Sequence, residues 1–139
     1  MDKVFIDSDV IIDYLYDRYP FSENASKIFN LCALKKILGF TSPLIIANVY
    51  YVLRKTADHE SVKSKIKGLL DHIGILSMNQ KIVLEALYSD FSNFEDALQI
   101  FTVLKVEDIN IIITRNVKDY RKSSLSVYTP ESFLKTLNK

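Results

Sequence analysis

The sequence is poor in the residues on which several common kinds of site depend. In 139 residues it has one cysteine, two histidines, three glycines and no tryptophan. A single cysteine excludes an internal disulfide and a cysteine-rich zinc site, and it suits a reducing compartment. Three isolated glycines leave no glycine-rich phosphate loop. His59 and His72 lack metal-ligand spacing and are not near a nucleophilic serine motif, so a hydrolytic triad has no support.

Long apolar runs and an excess of one charge are also missing. No run approaches the ~20 residues that a membrane span needs, and the acidic start of the chain does not fit a signal peptide. Eighteen Lys and Arg against 17 Asp and Glu give a net charge of +1, which excludes a disordered polyelectrolyte and argues against a broadly basic coat for nucleic acid. We therefore expect one cytoplasmic, globular domain over residues 1–139.

Short apolar runs alternate with amphipathic segments along the chain. The runs that are typical of buried strands are residues 4–6, 39–41, 75–76, 111–113 and 126–128. Between them, apolar residues recur at threes and fours, which predicts helices that include residues 22–38 and 60–73. Strands that alternate with helices form βαβ units, so we predict an α/β fold, a three-layer α/β/α sandwich with a central parallel sheet.

Polar side chains follow two of the predicted strands. Asp7 comes directly after the first strand, with Ser8 and Asp9 beside it, and residues 114–119 follow the fourth strand. Because parallel strands bind ligands beyond their carboxyl ends, these acids predict a shared carboxylate pocket. Clustered carboxylates repel one another unless protons or a cation neutralise them, and oxygen ligands favour Mg²⁺ or Mn²⁺. Such an ion can acidify water and assist displacement at phosphorus.

Asp96 is a third candidate, because it lies near the start of a helix that is apolar almost all round. Its carboxylate either complements the helix dipole or coordinates an ion. Glu95, beside it, is three residues after Ser92, and this spacing predicts a capping box. Asp13, one helical turn after Asp9, is expected to face solvent.

Basic residues cluster in two places although the total charge is balanced. Arg54 and Lys55 begin one cluster, and Arg115, Lys118 and Arg121 belong to the other. The second cluster adjoins the predicted metal site, where cations would guide a phosphate backbone. A solvated face is the alternative explanation for both.

Four segments in this order, at sensible intervals, resemble the PIN domain family, and more narrowly its branch of toxin-like bacterial nucleases. They are VFIDSDVIIDYL, TSPLIIANVYYVLRK, FEDALQIF and IIITRNVKDY, followed by VYTPESFL. The resemblance implies an α/β/α sandwich and a ribonuclease that depends on Mg²⁺ or Mn²⁺. It also implies RNA as the substrate, a homodimer, and a cognate antitoxin that would block the acidic site.

The resemblance assigns roles to individual residues. The metal ligands would be Asp7, Asp96 and Asp119, and the supporting residues would be Ser8, Asp9, Thr114 and Asn116. Asp9 stands where many relatives have asparagine. Asn48 departs from the pattern of the family, because many PIN nucleases have a glutamate at this helix position. An amide oxygen can still bind an ion or a water, but it is a poor general base.

Three hypotheses follow. The first is a metal-dependent ribonuclease with Asp7, Asn48, Asp96 and Asp119 at its catalytic centre. The second is a PIN domain that the Asn48 substitution has weakened, and that binds nucleic acid or protein without cutting. The third is a phosphatase of the haloacid dehalogenase type, whose DxD start resembles Asp7-Ser8-Asp9; Ile11 and the short chain argue against it.

Overall fold

Strands and helices alternate from the beginning of the chain, as the apolar pattern predicts. The computed structural model describes residues 1–137. Its strands are β1 (Lys3–Ile6), β2 (Leu38–Thr41), β3 (Ile73–Ile75), β4 (Ile111–Ile113) and β5 (Ser126–Tyr128). Its helices are α1 (Ser8–Leu15), α2 (Ser22–Ala33), α3 (Pro43–Leu53), α4 (His59–Leu70), α5 (Gln80–Tyr88), α6 (Phe94–Leu104), α7 (Val117–Tyr120) and α8 (Pro130–Thr136).

The five strands form one parallel sheet in the order β3-β2-β1-β4-β5. The central strand β1 pairs with β2 on one side, where Val4 is opposite Gly39, and with β4 on the other, where Val4 is opposite Ile111. The chain therefore builds the sheet outward from β1 in one direction and later in the other. This order confirms the predicted α/β architecture, and its point of reversal lies between β1 and β4, where sheets of this kind bind ligands.

The core forms around the two central strands. Val4, Phe5 and Ile6 of β1 and Ile112 and Ile113 of β4 are completely buried. Parallel strands that helices cover on both faces have this continuous apolar character. Burial of the two strands fixes the positions at which their carboxyl ends emerge, and the polar residues that follow them are held there.

Four local predictions were wrong at their boundaries. The helix predicted over residues 60–73 ends at Leu70, and Ile73 belongs to β3. The helix predicted over residues 22–38 ends at Ala33, and Lys35 turns the chain with a φ of 57°. The third strand begins earlier than predicted, because Ile73 is buried and pairs with Gly39. Asn93 caps α6 in place of Ser92, and its Oδ1 accepts the backbone N–H of Asp96 at 3.0 Å.

Within residues 1–137, no helix is long and apolar enough to cross a membrane.

Gly39 occupies a point in β2 where the packing leaves no room for a side chain. A Cβ added there would lie 2.8 Å from Cys32 Sγ and 2.9 Å from Ile73 Cγ2. Both neighbours are buried in the core, so neither can move away without disturbing other contacts. The close approach of α2 and β3 to β2 therefore requires glycine.

We expect Gly39→Ala to lower the free energy of unfolding by about 1–3 kcal/mol, because overpacking forces core atoms out of place. Gly68 is the matched control: it is exposed on α4 and an added Cβ would meet nothing within 4 Å. Gly68→Ala should leave stability unchanged or raise it by up to about 1 kcal/mol. Urea denaturation measures both, and equal stability of the two variants would contradict the packing argument.

Candidate functional site

A polar pocket of about 290 Å³ lies at the carboxyl ends of β1 and β4. Residues from the start of α1, from α3, from the start of α6 and from α7 line it. Its acids are Asp7, Asp9, Glu95, Asp96 and Asp119, and its other polar residues are Ser8, Asn48, Asn93, Gln99, Asn116 and Tyr120. The fold thus brings the three predicted metal ligands and Asn48 into one pocket, together with Ser8, Asp9 and Asn116.

Asp7 is anchored by the pairing of β1 with β4. Its backbone N–H donates to the carbonyl of Ile113 at 3.0 Å. Its side chain is buried, with Oδ1 accepting from the Ser8 N–H and Oδ2 from the Thr114 hydroxyl, both at 2.8 Å. Burial raises the pKa of Asp7 and the negative charge of Asp96 adds to this effect, while the two hydrogen bonds oppose it.

One carboxylate oxygen of Asp9 has hydrogen-bond partners, and the other is an orphan oxygen with none among the described residues. Its Oδ2 accepts the Arg115 backbone N–H at 3.0 Å and lies 3.4 Å from the Thr114 hydroxyl. Its Oδ1 is buried and has no hydrogen-bond partner within the described part of the chain. Burial and the charge of Asp7 raise the pKa of Asp9 to about 6. A buried carboxylate oxygen without a partner is costly, so this atom is suited to a cation or a water.

Asp96 and Asp119 complete the acidic wall. Asp96 lies in the first turn of α6, and burial followed by the charge of Asp119 raises its pKa to about 6. Asp119 lies on α7 and accepts a hydrogen bond from the Asn116 side chain. The carboxylates are therefore close enough to repel one another, which is the condition that a bound cation relieves.

The pocket offers carboxylate, amide and hydroxyl oxygens as metal ligands, and a hard divalent ion prefers such oxygen ligands. Within residues 1–137, however, there is no group of three or more His, Cys, Asp or Glu side chains whose present positions could hold a metal ion. Mg²⁺ keeps several of its waters and usually binds through one or two carboxylates. A pocket with separate acids and the orphan Asp9 Oδ1 fits such a hydrated ion better than it fits a fully protein-ligated one.

Tyr120 is a pocket residue that the sequence analysis missed. It is 1% exposed and lines the pocket directly after Asp119. Burial and the charges of Asp7 and Asp96 raise the pKa of Tyr120, so its phenol keeps its proton and can donate to these carboxylates. Its position next to Asp119 is the signal that the sequence offered.

Glu95 and Gln99, both on α6, also line the pocket. Glu95 was assigned to a capping box, and the shift of the cap to Asn93 leaves it on the pocket wall. Gln99, one turn further along α6, is buried, and its Oε1 accepts the Ser42 hydroxyl at 2.7 Å. This contact joins α6 to Ser42, the residue that caps the start of α3.

The prediction that Asp13 faces solvent was wrong, since it is 1% exposed. Asp13 Oδ2 accepts a hydrogen bond from Arg115 Nε at 2.6 Å, and Asp13 Oδ1 accepts one from Arg115 Nη2 at 3.1 Å. Arg18 Nε lies 3.1 Å from Asp13 Oδ1. The Arg115 guanidinium also lies over the Phe21 ring, 3.8 Å from its centroid. Arg115 therefore holds the turn after β4 against α1, and it does not line the acidic pocket.

The other basic residues lie at different distances from the acids. Lys118 lines a neighbouring cavity of about 370 Å³ that shares Asp96 and Asp119 with the acidic pocket, and Lys122 lines it as well. Arg54 and Lys55 follow the end of α3, outside the residues that line either cavity, and Arg121 also lies outside them.

The sheet is parallel, and a carboxylate pocket lies at the point where its strand order reverses. This chain is therefore a small α/β domain with an acidic site at the carboxyl ends of its strands. The family model described as PIN domain matches residues 3–118. The chain belongs to the PIN domain family. Ribonuclease VapC1 of Aquifex aeolicus (strain VF5) is 28% identical over 142 residues, which cover 99% of this chain and 96% of that protein.

Solved structures share the fold at lower identity. VapBC2 from Rickettsia felis, bound to a DNA fragment from its promoter, matches with a TM-score of 0.66 and 15% identity over 91% of this chain and 98% of the other. A toxin-antitoxin complex from Klebsiella pneumoniae matches with a TM-score of 0.64 and 21% identity over 91% and 97%.

We expect Asp13→Asn to lower the free energy of unfolding by about 2–3 kcal/mol. This is less than the loss for a fully buried pair, because both arginines are partly exposed. Asp108 is the matched control: its carboxylate is 71% exposed and 3.1 Å from Lys3, so Asp108→Asn should cost less than about 1 kcal/mol. Equal losses in urea denaturation would show that the Asp13–Arg115 pair does not stabilise the fold.

Proposed function

We propose that this chain is a ribonuclease that hydrolyses RNA phosphodiester bonds with Mg²⁺ or Mn²⁺ as its cofactor. The observation that carries the proposal is the single pocket that contains Asp7, Asp96 and Asp119 at the reversal point of the sheet. The 28% identity to a protein named as a ribonuclease, over nearly the full length of both chains, supports RNA as the substrate.

In this proposal Asp7, Asp96 and Asp119 would hold an ion that keeps part of its own water shell. A divalent ion at such a site supplies a Lewis acid, which lowers the pKa of water and offsets charge on a phosphate. The hydrogen bonds of Thr114 to Asp7 and of the Arg115 N–H to Asp9 fix the carboxylates before the ion arrives.

The neighbouring cavity supplies a path for the RNA backbone. Lys118 and Lys122 line it, and it shares Asp96 and Asp119 with the acidic pocket. Cations beside a carboxylate site offset the repulsion between its acids and a phosphate chain. The Arg115 guanidinium lies outside this cavity, because it is hydrogen-bonded to Asp13.

We further propose that the chain is the toxin of a toxin–antitoxin pair and acts as a homodimer with a cognate antitoxin as its partner. The support is the likeness in fold to chains from toxin-antitoxin complexes. An antitoxin that covered the carboxylate pocket would exclude both the ion and the RNA.

The second candidate function is a binding module with a weakened site. Asn48 favours it, because this pocket residue offers a neutral amide where a carboxylate would strengthen the hold on a cation. The spacing of the acids also favours a binding module, because the described residues contain no group of three side chains positioned to hold a metal ion.

Cleavage of single-stranded RNA by the purified chain should require Mg²⁺ or Mn²⁺ and stop when EDTA is added. We expect Asp7→Asn to reduce the cleavage rate at least about 100-fold, because it removes a charge from the ion site. Asp71→Asn, an exposed substitution at the end of α4, should cleave like the wild type. Gel assays of a labelled RNA measure the rates, and undiminished cleavage in EDTA would rule the proposal out.

Asn48→Glu separates the two candidate functions. The ribonuclease proposal expects the wild type to cleave RNA and Asn48→Glu to bind Mn²⁺ several-fold more tightly in titration calorimetry, because a further carboxylate joins the pocket. The binding module expects RNA to stay intact with the wild type and cleavage to appear in Asn48→Glu. Asn30→Glu, an exposed change on α2, controls for added charge and should alter neither measurement.

A further inference from the structure

A third cavity, of about 430 Å³, lies at the carboxyl ends of β4 and β5. It is lined by Arg115, which follows β4, by Thr129, which follows β5, by Phe21 and Asn24 at the start of α2, and by Glu131 of α8. Its volume falls within the range of small-molecule sites. The nuclease proposal does not use it.

Arg115 joins this cavity to the acidic pocket. Its backbone N–H donates to Asp9, a residue of the acidic pocket, whereas its side chain lines the third cavity. One residue therefore contacts both spaces. An RNA strand with a phosphate at the carboxylates would bring a neighbouring nucleotide to the third cavity.

The wall of the cavity is a surface on which a base can stack. The Arg115 guanidinium lies 3.8 Å from the centroid of the Phe21 ring, and the ring remains 41% exposed. Unstacked bases of single-stranded RNA lie on aromatic rings and on guanidinium planes. The two hydrogen bonds to Asp13 hold this guanidinium in place, so the stacking surface exists before RNA binds.

The polar groups of the cavity favour one base. The Glu131 carboxylate only accepts hydrogen bonds, and the Asn24 amide both donates and accepts. Guanine offers two adjacent donors, N1–H and N2–H, beside the O6 acceptor, which is the complement of a carboxylate next to an amide. Glu131 is engaged with Lys135 at 3.4 Å in an exposed pair, and such a pair costs little to rearrange.

We propose that this cavity is a nucleobase subsite, which takes one base of single-stranded RNA next to the cleavage site and prefers guanine. The guanidinium covers one face of the Phe21 ring, so the base stacks on the outer side of the Phe21–Arg115 pair, and this supplies affinity. Glu131 with Asn24 supplies the preference. The inference rests on the proposed ribonuclease function for the presence of RNA, and its test measures binding apart from cleavage.

The probes are two fluorescently labelled hexaribonucleotides, one all uridine and one with a single central guanosine, in low salt with EDTA. Fluorescence anisotropy should show wild-type chain binding the guanosine probe at least about threefold more tightly. Phe21→Leu should weaken binding of both probes at least about fivefold, the lower end of base–aromatic stacking. Glu131→Gln should remove the preference, measured as the ratio of the two affinities.

Two controls match these variants. Tyr51→Leu removes another exposed aromatic ring, on α3, and Glu60→Gln neutralises an exposed glutamate on α4; both should bind like the wild type. Thermal melting checks that each variant is folded. Wild-type affinity of Phe21→Leu for both probes, or a guanosine preference that survives Glu131→Gln, would overturn the proposal.

A parallel cleavage assay in Mg²⁺ keeps the two proposals apart. Absence of cleavage combined with the expected binding pattern counts against the ribonuclease and supports the subsite. Cleavage combined with unchanged binding by Phe21→Leu supports the ribonuclease and overturns the subsite.

Discussion

The hydrogen bond from the Thr114 hydroxyl to Asp7 is the contact on which the site depends. It spans 107 residues of sequence and lies at the junction of the first and last halves of the sheet. The register of β1 against β4 sets it, because Ile6 pairs with Ile113 and the next residues of the two strands are then neighbours. Thr114 also accepts the Asn116 N–H at 2.9 Å, so one buried hydroxyl orients both Asp7 and the turn that carries Asp119.

The acidic pocket works against the stability of the fold that holds it. Burial and mutual repulsion raise the pKa values of Asp7, Asp9 and Asp96, so the ionised pocket is a destabilising element in the metal-free protein. The apolar strands beneath it and the Asp13–Arg115 pair beside it offset this cost. Sites that bind ions commonly show this conflict between local stability and function.

The sequence could predict those site residues that directly follow a strand, because the end of the strand fixes where they lie. Asp7 and Asp119 follow buried strands, so the rule for parallel sheets located them, and the apolar helix located Asp96. Asp13 could not be placed, because local periodicity does not reveal a partner 102 residues away. Glu95 was misassigned because a one-residue shift of a helix cap lies below what spacing can resolve. Asn48 was located by the family resemblance, and it lines the pocket beside the acids.

The topology also determines when the pocket can exist during synthesis. The central strand β1 leaves the ribosome first, yet its partner β4 and the helix that carries Asp119 are made more than a hundred residues later. A nascent chain that lacks them contains Asp7 but has no Thr114 to orient it and no second wall for the pocket. The acidic pocket can therefore form only in chains that have been translated past residue 120, and shorter translation products lack part of its lining.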